Sequence, residues 1–143
     1  MTITAADTMS IGLPEHSRTF PRVPESAGLA RDLAVTALRA WRLEPLLHDT
    51  TLVASELVAN AVQHGSGRFL VFGVERSSRF RVRVHVTDQS RVRPVLRCPN
   101  DEETRGRGLR LVSAFAVVWG IDVHTRGKTV WADLAGTGDM NRP

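Results

Sequence analysis

Three polar residues recur every four positions in the segment TTLVASELVANAVQHG, namely Glu56, Asn60 and His64. In a helix, residues four apart stack on one face, and this face borders the apolar line of Val53, Leu57 and Ala61. A carboxylate and a carboxamide at the edge of a core stripe lose hydration unless something pairs with them, and a hydrated magnesium ion would do so. The spacing suits joint metal and proton chemistry. Asn60 could give its side-chain oxygen to magnesium on a triphosphate, and Glu56, one turn earlier, could orient a nucleophile or accept its proton. Taken alone, a Glu and an Asn so placed favour a solvated helix face, since exposed polar pairs are common on helices. His64, at the helix end, reads as a partner of the helix dipole.

Asp88 follows the strand-like run FRVRVHVT. A carboxylate emerging there at a sheet edge can accept the exocyclic amine of adenine and so separate adenine from guanine. An Asp in that place can also simply start a turn. In ETRGRGLRLV, Gly106 and Gly108 flank Arg107 just ahead of a helical segment. Backbone amides from Gly106 to Leu109, with Arg105 and Arg107 beside them, could face phosphates at a helix N-terminus, although two glycines also make an ordinary helix start.

The elements that must position these groups follow from periodicity. Residues 1–19 are polar, carry Gly12 and Pro14 and lack a sustained period, which predicts a flexible lead-in. A domain is expected over 20–135 and a flexible tail over 136–143. Ser26 can cap a helix whose apolar positions are Leu29, Leu33, Ala37, Leu38 and Trp41. A second helix is predicted from near Asp49 to Gly65, its C-cap. Phe69–Glu75 reads as a buried strand, Arg76–Arg79 as a turn, and Phe80–Thr87 as a strand with Phe80, Val82, Val84 and Val86 on one face. Gln89–Arg105, without a period, predicts a long loop. Leu109, Val112, Phe115 and Ala116 mark the inward side of a short helix, and Ile121–His124 with Thr129–Leu134 make a closing hairpin turned at Arg126 and Gly127. Strands mixed with helices segregated to one face imply an α+β two-layer sandwich with a mixed, mainly antiparallel sheet.

Composition narrows the function classes. The chain has 143 residues, 42% of them hydrophobic, and no apolar run near the roughly 20 residues that span a bilayer. No secretory signal pattern opens it. A single cysteine, Cys98, leaves no intrachain disulfide or multi-Cys zinc site and fits a reducing cytoplasm. The net charge is +4, and Lys128 is the only lysine among many arginines, a bias that G+C-rich coding explains. Arginines from Arg68 to Arg97 could form a basic surface, but no aromatic residue interleaves with those of Phe80–Thr87, which argues against a direct nucleic-acid partner.

SELVANAVQHG, VTD, GRGLRLV and GKTVWADL, in this order, resemble the ATP-binding domain of anti-sigma-factor serine/threonine kinases, part of the Bergerat-fold (GHKL, histidine-kinase-like ATPase) superfamily. The resemblance covers Phe20 to Leu134. It implies ATP and Mg2+ as cofactors, Glu56 as general base, Asn60 as magnesium ligand and Asp88 as the adenine acceptor. Arg105, Gly106, Arg107, Gly108 and Leu109 would belong to the phosphate-covering segment, and Thr129 would lie close to the adenine ring. Ser90 and Val92 stand where the family's first glycine box has glycines. The implied partners are a sigma factor, an anti-anti-sigma protein of sulfate-transporter-like domain type, and a second copy of the chain in a homodimer. The implied activity is phosphorylation of a serine on the anti-anti-sigma protein, the alternative being a partner-binding switch without catalysis.

Overall fold

The alternation expected in Phe80–Thr87 is realised in strand β3 (Arg81–Asp88), where Val82, Val84, Val86 and Asp88 are buried and the residues between them are half-exposed. The computed structural model describes residues 15–90 and 107–136. Within them run β1 (Glu15–Pro21), α1 (Ser26–Ala40), a 3-10 turn (Glu44–Leu46), α2 (Leu47–His64), β2 (Phe69–Ser78), β3, α3 (Arg107–Phe115), β4 (Val118–His124) and β5 (Gly127–Ala135). The strands form one sheet in the order β1-β2-β3-β5-β4, and every pairing is antiparallel, so the expected mixed character is absent among the described residues.

One face of that sheet carries the core. Leu70, Phe72 and Val74 of β2, the three valines of β3, and Val130, Ala132 and Leu134 of β5 meet α1 and α2 in a single cluster. A fully buried side chain of this kind contributes about 1.5–3 kcal/mol, against about 0–1 for an exposed ion pair, so the apolar rows and not the surface charges fix the register. The helix α1 supplies Ala30, Leu33, Ala34, Ala37 and Leu38. Its three alanines let it lie close along α2. None of the described helices is long and apolar enough to cross a membrane.

Several expectations are corrected. Glu15–Pro21 is a strand paired with β2, not part of a lead-in, and it escaped pattern reading because only Phe20 on this edge strand is buried. Leu29 is 47% exposed, since the buried stripe of α1 runs one position later, through Ala30. Ser26 begins α1 but caps no amide: its hydroxyl donates instead to the Pro21 carbonyl at 2.6 Å, tying α1 to β1. The run Phe69–Glu75 is buried on one face only, leaving Phe69 and Val71 exposed, and Phe115 is also exposed. The segment expected as a long loop lies outside the described residues from Arg91 to Gly106.

The open face of the sheet satisfies itself with polar and aromatic groups. Asp133 accepts from Arg83 at 2.6 and 3.1 Å and from Arg81 at 3.2 Å, and the Arg83 guanidinium lies 4.0 Å from the centre of the Trp131 ring. The Asp133 bonds raise Arg83 above the ordinary arginine range against the opposing effect of its burial. Trp131 lies flat because Gly120, opposite it on β4, has no side chain; a Cβ there would sit 2.6 Å from the ring. Gly73 likewise lets His85 of β3 reach across β2 to Glu15 of β1, at 3.3 Å, a bond that holds the Glu15 carboxyl below its ordinary value. We expect Asp133→Asn to lower stability by about 1.5–3 kcal/mol, the scale of hydrogen bonds to charged groups, measured by urea unfolding; an unchanged midpoint would mean that the two arginines are held by packing alone.

Candidate functional site

The C-terminal end of α2 meets the sheet at Asp88. Gly65 caps α2 by donating its N–H to the Ala61 carbonyl at 2.9 Å. An added Cβ at Gly65 would lie 2.7 Å from Asp88 Oδ2, so only glycine permits this approach. From the other side Gly127, the first residue of β5, abuts the Asp88 backbone so closely that a Cβ would collide with the Asp88 carbonyl. Gly65 thus clears space beside the carboxylate, and Gly127 clears space beside the Asp88 backbone.

Both oxygens of Asp88 have partners. Oδ1 accepts the Ser90 N–H at 2.6 Å, the local bond of an Asx turn. Oδ2 lies 3.2 Å from Lys128 Nζ, and the two side chains are 2% (Lys128) and 1% (Asp88) exposed. The two readings of Asp88 made from sequence are therefore not exclusive: it starts a turn and also faces the helix layer.

Lys128 was missed by sequence reasoning, although the signal was present. On β5 the even positions Lys128, Val130, Ala132 and Leu134 share the buried face. A lysine in such a row requires an anion beside it, and the pairing of Asp88 with Lys128 in the β3–β5 register supplies one. Thr129 follows the same alternation. It points to the sheet face opposite Asp88, where its hydroxyl meets Thr87 Oγ1 at 2.7 Å and His124 Nε2 at 3.1 Å, away from the place expected for an adenine ring. Near it, Phe69, Val71, Thr87, Asp88 and His124 are among the residues lining a shallow depression of about 250 Å³.

Asn60 and Glu56 sit one turn apart on α2, as their spacing required. Asn60 is 8% exposed, and its carboxamide makes no hydrogen bond to another described residue. As a residue it is largely buried, which sets it apart from a fully solvated helix face. Glu56 is half-buried and His64 lies in the last turn of α2. The helix α3 packs on α2. Leu109 is in the first described turn of α3, with a buried side chain. The backbone of Arg107 and Gly108 belongs to that turn, whereas Arg105 and Gly106 lie outside the described residues.

The donor set fits the phosphate end of a magnesium nucleotide better than the base end. Asn60 offers a neutral oxygen of the kind magnesium accepts, with the remaining ligands coming from phosphates and water. No group of three His, Cys, Asp or Glu gathers among the described residues, so Asn60 would be the ion's protein anchor. At the base end, Asp88 already holds Lys128.

The pair also bears on stability, because removing one partner of a buried ion pair leaves the other uncompensated. We expect Asp88→Asn to cost about 3–5 kcal/mol in chemical denaturation, and the double variant Asp88→Asn with Lys128→Met to recover most of it. Equal loss in single and double variants would show that Asp88 acts on the fold through Ser90 and not through Lys128.

With this geometry in place, comparison with known families is direct. The model of the histidine kinase-like ATPase domain matches residues 20–134, and the chain belongs to that family. No curated protein matches the chain in sequence.

Proposed function

We propose that this histidine kinase-like ATPase domain is a cytoplasmic anti-sigma factor that binds Mg-ATP and phosphorylates a serine on an anti-anti-sigma partner of sulfate-transporter-like domain type. The observation that carries the reading is Asn60, only 8% exposed as a residue and one turn from the half-buried Glu56 on the same helix. Support for the finer assignment to the anti-sigma branch comes from the resemblance of SELVANAVQHG and GRGLRLV to that branch.

In this reading Asn60 would hold magnesium by its side-chain oxygen, and backbone amides at the N-terminal end of α3, Leu109 among them, would receive phosphate oxygens. Bound magnesium supplies neutralisation of phosphate charge. Glu56 orients the incoming serine hydroxyl and takes its proton as the serine oxygen bonds to the γ-phosphorus and the bond to the leaving ADP oxygen breaks. Most of the acceleration then comes from positioning and charge, which two residues fixed on one rigid helix are suited to provide. A sigma factor and a second copy of the chain are the further partners of this proposal.

A second reading, a partner-binding switch without catalysis, is favoured by one observation: the Asp88 carboxylate is committed to Lys128 and Ser90 within the chain. The two readings separate on phosphoryl transfer. With radiolabelled γ-phosphate and purified sulfate-transporter-like domain proteins as acceptors, we expect Glu56→Ala to lower transfer by at least about a hundredfold, the usual scale of general-base loss, with nucleotide affinity retained. Asn60→Ala should lose the magnesium-dependent part of nucleotide binding in calorimetry. Full transfer activity in both variants would remove them from the catalytic assignment, and no transfer by the wild-type chain to any acceptor would favour the switch.

A further inference from the structure

The pairing of Asp88 with Lys128 has a consequence for which ligand the site reads. We propose that Lys128 occupies the base-recognition position from within, so that the chain binds purine nucleoside triphosphates through their phosphates and does not select adenine. This rests on the nucleotide reading of the site given above.

A carboxylate distinguishes adenine from guanine by accepting an amine N–H that guanine does not present at the same place. For that it needs an accessible lone pair. Here Oδ1 takes the Ser90 N–H and Oδ2 faces the Lys128 ammonium. Each oxygen has a second lone pair, but the Asp88 side chain is 1% exposed and Gly65 closes on its Oδ2, so no base edge reaches the carboxylate while Lys128 stays. Exchange is also unfavourable in charge: a neutral amine would replace a cation beside a desolvated carboxylate. The ammonium therefore wins the competition for Oδ2, and the energy of binding falls to Asn60 and the start of α3.

The identity of the cation fits this role. Every other basic side chain among the Lys and Arg residues is arginine, and the only lysine of the chain stands here. A compact ammonium on a flexible stem meets the buried carboxylate as a point charge, where arginine would bring a planar fork of five donors. Within the described residues, the network around Asp88 is complete without a ligand.

The test compares Mg-ATP, Mg-GTP and Mg-tripolyphosphate by calorimetry on the full chain and on Lys128→Ala, which frees Asp88 and opens space beside it. We expect the wild-type chain to bind ATP and GTP within about threefold of each other, and Lys128→Ala to prefer ATP by about tenfold or more, the worth of one well-made hydrogen bond to a charged group. A wild-type preference for ATP of that size, or a variant as unselective as the wild type, would overturn the proposal. Should Lys128→Ala fail to fold, amine acylation of the wild-type chain decides, since Lys128 is its one side-chain amine: protection unchanged by saturating Mg-ATP supports the proposal, and exposure of Lys128 on Mg-ATP addition overturns it. Failure of the underlying reading is distinct, because then neither protein binds any of the three probes, tripolyphosphate included.

Discussion

The register between β3 and β5 is the constraint on which fold and site both depend. The buried row of β3 runs Val82, Val84, Val86 and then Asp88, and that of β5 runs Leu134, Ala132, Val130 and then Lys128, each residue opposite its counterpart. Three hydrophobic pairs therefore align one ionic pair. A slip of one residue would turn every one of these side chains to the open face, breaking core and site together. Because the apolar pairs outweigh any single polar contact in free energy, the ion pair is positioned by the core and does not have to position itself.

The helix layer meets this sheet on the same terms. Val53, Leu57 and Ala61 of α2 lie in the core, and Asn60 follows from them at the edge of the buried stripe. The two ends of the candidate site differ in chemistry. Toward α3 there is the Asn60 carboxamide beside the first described turn of a helix, groups of the kind that could meet an anion and its metal. Toward the end of β3 there is a carboxylate whose bonds are made within the chain.

Much of this was legible in the sequence. The alternation of β3, the apolar line of α2, the capping role of Gly65 and the one-faced α+β arrangement follow from periods of two and of nearly four, which backbone geometry imposes directly. Less legible were features that depend on what lies opposite in space. The edge strand β1 has one buried residue and so no period to find. Leu29 and Phe115 are apolar at helical spacing yet exposed, since which side of a helix is covered depends on its neighbour. The face to which Thr129 points was not legible, and Lys128, one residue before it, was passed over because a lysine reads as solvated unless its row is traced and its cross-strand partner identified. That register is tertiary information.

The most direct test of the account is an amide NMR titration of the isotopically labelled chain with Mg-ATP. If the nucleotide site lies between α2 and α3, the shifts will concentrate at Asn60 to Gly65 and at the first turn of α3 around Leu109, leaving the open face undisturbed. Shifts confined to Phe69, Val71, His124 and Thr129 on the opposite face, or none at millimolar Mg-ATP, would contradict it.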